Sequence, residues 1–96
     1  MSQTYDVALI HALGQDLIVV QVPPAFGELG LALRRQAVTV LQVRAIRTGL
    51  SGAVVAVWDA GEGQLGLQAP SQWREVFQGA TLAGIAARFN RTLTVG

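Results

Sequence analysis

The sequence predicts one small α/β domain, residues 1–96, in which helices pack on a mixed β-sheet. Two observations lead to this prediction. The first segments with β-strand character carry apolar residues at odd and even positions alike, so both faces of their sheet must be covered. Helical patterns then alternate with further strand patterns toward the C-terminus. A chain of 96 residues suffices for a single hydrophobic core. The alternative class is an α+β domain with an antiparallel sheet.

Composition excludes several classes of protein. Apolar residues make up 51% of the chain and charged residues 14%, and there is no cysteine. Disorder, a disulfide scaffold and thiol catalysis do not fit this composition. The longest uncharged stretch, residues 76–87, has 12 residues, whereas a membrane helix needs about 18. The first 15 residues contain no Lys or Arg, so we expect no signal peptide and a cytoplasmic protein.

Residues 5–12 and 17–22 predict a β-hairpin. Gly14-Gln15 is a two-residue loop with glycine first, which is typical of a type II′ turn. With that loop, His11 lies opposite Ile18. Apolar side chains then cover both faces of the hairpin. The prolines at 23 and 24 end the second strand, because neither can donate to a sheet.

The middle of the chain predicts a helix followed by a strand. Residues 25–36 have helical apolar spacing and end in Arg34-Arg35, where cations suit the helix dipole. Residues 37–43 are β-branched and apolar on both faces, which indicates a central strand. Residues 49–60 fit either a buried strand or a buried helix, and periodicity does not decide between them.

The last third predicts a turn and four further elements. Gly61-Glu62-Gly63 ends the preceding element. We expect a strand at 64–68, a helix that opens at Pro70-Ser71 and continues to about 78, a helix at 81–90 and a strand at 92–95.

The residues that carry chemistry do not assemble into a recognisable catalytic motif. Residues 61–66 read GEGQLG, but a strand pattern follows these glycines, whereas a dinucleotide fingerprint needs a helix there. A turn is therefore the favoured interpretation. His11 is the single histidine, and the nearest acids in sequence, Asp6 and Asp16, lie beyond the reach of its own strand. We expect no enzyme, no metal site and no cofactor.

The arginines are the main electrostatic feature. Residues 29–58 contain four arginines and no acid, although the net charge of the chain is only +1. Nucleic-acid binding would call for aromatic residues among them, and residues 29–57 contain none, so nucleic acid is disfavoured as a partner. Few charges over much apolar area instead favour a surface for a protein partner or a second copy of the chain.

Several segments of the second half resemble the STAS domain of anti-sigma-factor antagonists. Residues 48–58, TGLSGAVVAVW, are similar to the family's SGL loop and the helix that follows it. Residues 63–71, with 74–77 and Leu82, are similar to its glycine turn, inner strand and next helix. The resemblance implies a helix at 49–60, a central strand at 37–46 and a non-catalytic regulatory role. It also implies a kinase, an anti-sigma factor or a transporter subunit as partner.

One feature of the family is missing. Its Asp-Ser phosphorylation pair precedes the glycine, where this chain reads Ile46-Arg47-Thr48-Gly49. Thr48 is then the candidate phosphoacceptor, and the usual switch is absent. Ser51 is the next hydroxyl along the chain.

A partner-binding surface is expected around this loop. If a helix begins near Gly49, its free N–H groups lie beside arginines and attract a carboxylate or phosphate of a partner. The candidate partner-binding residues are Arg44, Arg47, Thr48, Gly49, Leu50 and Ser51. The expected function is non-catalytic regulation or scaffolding through protein–protein contact. The alternatives are a self-assembling module of unrelated α+β fold, in which 49–60 is a strand, and an arginine-based nucleic-acid binder.

Overall fold

A computed structural model describes residues 3–12, 14–69 and 71–95, and within these ranges five strands form one mixed sheet. The strands are β1 (Gln3–Ala12), β2 (Gln15–Gln21), β3 (Ala53–Asp59), β4 (Leu65–Gln68) and β5 (Arg91–Val95). Their order across the sheet is β4-β3-β2-β1-β5. β2 and β3 are parallel, and the other neighbouring pairs are antiparallel. The predicted α/β class with a mixed sheet is confirmed.

Helices cover both faces of this sheet. The longest helix, α1 (Leu31–Arg47), connects β2 to β3 and packs on one face, where Leu41 and Ala45 meet Ile18, Val54 and Trp58. The opposite face is covered by short segments: α2 (Ser71–Arg74), a 3-10 turn (Glu75–Phe77) and α3 (Leu82–Ala86). Phe77 and Ile85 from these segments pack on Leu17, Val19, Val55 and Val57. The sheet is thus the middle of three layers.

The N-terminal hairpin forms as predicted, but its register differs by two residues. His11 lies opposite Asp16 rather than Ile18, and Leu9 lies opposite Ile18. Side chains alternate with a period of two, so this shift leaves each residue on its predicted face. Ala12 pairs with Gln15, so the turn lies one residue earlier than predicted, and residue 13 lies outside the described residues. Gly14 has a φ of +72°, a conformation that favours glycine.

The strand predicted at 37–43 is wrong, and the helix predicted at 25–36 has the wrong bounds, since only residues 31–36 of it are α-helical. A short 3-10 turn occupies Pro24–Glu28, and the single helix α1 then extends over 17 residues. Val38, Leu41 and Ala45 follow one another at helical spacing and face the sheet. Burial of this stripe outweighs the modest helix penalty of the β-branched residues, which is a few tenths of a kcal/mol each. The central strand that the STAS resemblance implied at 37–46 is wrong for the same reason.

Residues 49–60 contain a strand, so the helix implied by the STAS resemblance is wrong. In β3 the five residues from Val54 to Trp58 are all buried, because β2 and β4 flank the strand and both faces of the sheet are covered. A continuous apolar run suits such a strand as well as a buried helix. The strand alternative for this segment is correct, although the sheet is mixed rather than antiparallel.

The C-terminal third follows the prediction in outline. The Asp59 carboxylate accepts hydrogen bonds from the amides of Gly61 and Gly63, at 2.9 and 3.2 Å, and so closes the β3–β4 turn. The GEGQLG segment is therefore a turn followed by a strand, as expected. The helices predicted at 70–78 and 81–90 are shorter in the structure, and Pro70 lies outside the described residues. Thr81 caps α3 by accepting from the amide of Gly84.

Trp58 is the largest side chain in the core beneath α1 and depends on two glycines. Gly66 is its cross-strand partner on β4, and Gly27 approaches the same indole ring from the 3-10 turn. A Cβ on either glycine would collide with the indole nitrogen. The ring of Phe26 lies 5.1 Å from the Trp58 ring, and the guanidinium of Arg34 lies 6.0 Å from it. Trp58 therefore joins β3, the 3-10 turn and α1.

We predict that Gly66→Ala lowers the free energy of unfolding by about 1–3 kcal/mol, because the new methyl group overpacks the indole. Trp58→Phe also destabilises the domain but removes the indole nitrogen. Gly66→Ala should therefore cost less in the Trp58→Phe background. Urea denaturation of the wild type, both single variants and the double variant measures this coupling. Equal costs in the two backgrounds would contradict the described contact.

Candidate protein-interaction face

The predicted partner-binding loop lies at the end of a helix rather than at its start. Arg44 and Arg47 occupy the last turn of α1, and Thr48 is its C-terminal cap. The amide of Gly49 donates to the carbonyl of Ile46, and that of Leu50 donates to the carbonyl of Ala45, both at 3.0 Å. Gly49 has a φ of +88°. This is the Schellman pattern of helix termination, in which glycine takes the left-handed position.

The expected anion site at this loop is therefore wrong in its physical basis. The C-terminal end of a helix presents carbonyl groups and partial negative charge, which favour the arginines themselves rather than an anion. The hydroxyl of Thr48, the candidate phosphoacceptor, donates to the carbonyl of Ala45 at 2.9 Å. That these residues contact a partner stays a prediction, but it cannot rest on free N–H groups of a helix, because α1 ends at this loop.

Gln42 holds this loop against the sheet, and no motif in the sequence pointed to it. Its side-chain amide donates to the carbonyl of Gly52 at 2.9 Å, and its side-chain oxygen accepts from the amide of Val54 at 2.8 Å. Gly52, with a φ of +134°, approaches the backbone of Asp16 too closely for a Cβ. One half-buried amide thus links α1 to the beginning of β3.

The structure divides the predicted site residues between two places. Gly49, Leu50 and Ser51 line an open cavity of about 340 Å³, together with Leu9, Ile10, His11, Asp16 and Arg91. Arg44 and Arg47 do not line this cavity; they belong to α1. Leu50 also packs against the core beneath α1.

His11 and Asp16 form a contact that the sequence analysis missed. The imidazole Nδ1 lies 2.8 Å from a carboxylate oxygen of Asp16, directly across the hairpin. The predicted register placed Ile18 opposite His11, which is why the pair was not expected. The side chains are 70% and 60% exposed, so solvent weakens their interaction. The pair links β1 and β2 at the hairpin end of the cavity.

The outer face of α1 carries most of the exposed apolar surface. Among the described residues, seven large hydrophobic side chains are exposed, and five of them belong to α1. These five are Leu31, Leu33, Val40, Val43 and Ile46. Val40 and Val43 are a helical neighbour pair, and Leu33 lies two turns before Val40 on the same side. Ile46, one turn after Val43, is 63% exposed. Leu31 lies two turns before Val38 and so on the same side of the helix as Val38, and we call the other four residues, Leu33, Val40, Val43 and Ile46, the α1 apolar face.

This face is set by the packing of α1 on its other side. Val38, Leu41 and Ala45 point to the sheet, so residues displaced by about half a helical turn must point outward. A helix on the surface of a domain normally carries polar residues there. Here Arg35 and Arg47 are exposed beside the apolar residues, with no acid on the helix. The arrangement is suited to burial against another molecule.

The described residues contain neither a metal-binding cluster nor a membrane-spanning helix. No group of three or more histidine, aspartate or glutamate side chains comes together there as a metal site would require. Within the same ranges, no helix is both long enough and apolar enough to span a membrane.

Comparison with known proteins identifies no relative of this chain. No family model matches the chain, and no curated protein or solved structure matches it significantly. The class of molecule is therefore defined by its own architecture: an α/β domain with a mixed sheet and an apolar outer helix face.

We predict that Gln42→Leu lowers the free energy of unfolding by about 1–3 kcal/mol, because the Gly52 carbonyl and the Val54 amide both lose their partner. The matched control is Gln36→Leu on the exposed side of the same helix, which should change stability by less than about 0.5 kcal/mol. Urea denaturation measures both values. Amide exchange at Val54 should also become faster in Gln42→Leu; unchanged exchange would show that the link is not stabilising.

Proposed function

We propose that this domain is a non-catalytic regulatory or scaffolding module that binds a partner protein through the α1 apolar face. One observation carries the proposal: five of the seven large exposed hydrophobic residues among those described lie on this one helix. Scattered exposed leucines and valines are ordinary on protein surfaces, but four of these five share the outer side of the helix, and such a concentration marks an interaction surface.

The geometry supports binding to another helix or to a shallow groove. Residues at spacings of three and seven along a helix project from one side, which is the pattern of helix-in-groove recognition. Burial of apolar surface contributes about 25 cal/mol per Å² removed from water, so a few aliphatic side chains provide a useful affinity. The inner face of α1 is anchored on the sheet, so little ordering of the helix is needed on binding.

Of the residues predicted to bind a partner at the loop, only Arg44 and Arg47 lie on the helix that carries the proposed interface. Arg44 and Arg47 belong to the same helix as the apolar face, whereas Gly49, Leu50 and Ser51 line the separate cavity near His11. The kinase, anti-sigma-factor and transporter partners were implied by the STAS resemblance. That resemblance depended on a helix after Gly49, where the chain forms β3, so these partners form no part of the proposal.

Self-assembly is the second candidate, and it uses the same face. A second copy would bury the same side chains by placing α1 against α1. All four charged residues of α1 are arginines, so such a pair would bring like charges together. Nucleic-acid binding is less favoured still, because aliphatic residues rather than aromatic ones accompany the arginines on this helix.

We expect a photo-crosslinking residue in place of Val43 to capture a distinct protein adduct in the cells that produce this chain. The same residue in place of Gln78, exposed on the opposite layer, is the matched control and should not give that adduct. A second variant, Val40→Ser with Ile46→Ser, should abolish the adduct at position 43, because it removes apolar area from the interface. Thermal denaturation checks that this variant still folds, as exposed substitutions change stability little.

The proposal fails if position 43 gives no adduct, or if positions 43 and 78 give the same one. An adduct with the mass of two copies of this chain would select self-assembly instead.

A further inference from the structure

A groove beside the α1 apolar face is lined by two arginines. The groove measures about 490 Å³ and lies between α1 and the segment that joins β4 to α2. Its lining residues are Leu31, Arg35, Val38, Thr39, Gln68, Ala69 and Arg74. Thr39 of the groove lies one turn before Val43 of the α1 apolar face, so the two surfaces adjoin on the helix.

The charges of the groove are all of one sign. Arg35 comes from α1 and Arg74 from α2, and no acidic side chain lines the groove. The contact between His11 and Asp16 lies elsewhere. Both arginine side chains are exposed, and residues 29–58 contain no acid that could neutralise Arg35 locally. Two guanidinium groups beside an apolar floor attract a carboxylate, which accepts their hydrogen bonds in a bidentate manner.

We propose that the partner segment is an acidic amphipathic helix, with apolar side chains on the α1 apolar face and a carboxylate between Arg35 and Arg74. This inference depends on the proposed function, since it names the chemistry of the partner for the same surface. Apolar contact supplies affinity, and the two arginines select the charge and orientation of the segment.

Two other occupants fit the surface less well. A second copy of α1 would bring arginines rather than carboxylates, as its charged residues are all arginine. A membrane-surface helix typically combines basic residues with leucines and aromatic residues, and α1 has arginines and leucines but no aromatic residue. The concave groove beside the helix also suits a protruding side chain better than a flat bilayer surface.

The test uses a phage-displayed library of amphipathic helices that share a leucine and alanine stripe. Each flanking position is free to be Glu, Gln or Lys. Selection on the intact protein should enrich Glu at flanking positions. The best selected peptide is then synthesised, together with a version in which every Glu is replaced by Gln. Fluorescence anisotropy measures the affinity of both peptides for the protein and its variants.

The decisive variant is Arg35→Gln with Arg74→Gln, and its matched control is Arg88→Gln with Arg91→Gln. Each pair lowers the formal net charge from +1 to −1 by removing two exposed arginines. We expect the groove variant to bind the acidic peptide about tenfold more weakly, and the control variant to lose less than about twofold. The Gln peptide should bind more weakly than the acidic one and should not distinguish the two variants.

A separate variant, Val40→Ser with Val43→Ser, tests the apolar face and keeps the two proposals distinguishable. If it weakens peptide binding while Arg35→Gln with Arg74→Gln does not, the proposed function stands and the acidic preference is wrong. If it has no effect on binding, the proposed use of the face is wrong as well. Enrichment of Lys, or of no sequence at all, overturns the inference.

Two further measurements address the other occupants. In sedimentation equilibrium we expect the protein to be monomeric. A dimer that dissociates in the Val40→Ser with Val43→Ser variant would assign the face to a second copy of the chain. Co-sedimentation with vesicles of phosphatidylserine and phosphatidylcholine should show no binding that depends on Arg35 and Arg74. Vesicle binding that depends on them would overturn the inference in favour of a lipid surface.

Discussion

The parallel pairing of β2 with β3 is the constraint on which the rest of the architecture depends. Leu17 to Gln21 pair in register with Ala53 to Val57, and a parallel pair requires a crossover along a face of the sheet. The crossover here is α1, which at about 1.5 Å per residue is long enough to cover one face almost alone. The other face is covered by the short segments between β4 and β5, which cross from one edge of the sheet to the other. Both strands of the parallel pair are consequently buried on both sides.

Side-chain contacts near both ends of α1 hold this crossover helix on the sheet. Gln42, near the C-terminal end of α1, links the helix to Gly52 and Val54 at the beginning of β3, and the Schellman turn at Gly49 reverses the chain between them. At the other end, Trp58 fills the space under Arg34 and Phe26, and Gly27 and Gly66 leave room for it. A polar link near the end of the helix and an aromatic contact near its start thus hold α1 at both ends.

The features of this fold that the sequence predicts correctly are those marked by side chains alternating along a strand or by the residues typical of a turn. The hairpin, the faces of its residues, the glycine turn after β3 and the class of the sheet follow from such patterns. The sequence predicts a strand at 37–43 because Val38, Val40 and Val43 have high strand propensity. The segment belongs to α1, but a helix that is apolar on both sides shows no clear helical period in its sequence. The sequence of β3 fits either a strand or a helix, because a strand that is covered on both faces is apolar at every position and shows no period of two. The His11–Asp16 pair required the register, which depends on tertiary packing rather than on the loop residues alone.

The apolar residues on both sides of α1, which obscured its helical period, are also the basis of its proposed role. The inner side of α1 is explained by the core, but the core does not account for Leu33, Val40, Val43 and Ile46 on its outer side. A helix that served only as a crossover would carry polar residues at those positions, at no cost to the packing of the sheet. Apolar residues there weaken solubility and bring no gain within one copy of the chain. Their presence beside arginines and away from the acidic residues is the observation on which the proposed contact with an oppositely charged partner rests.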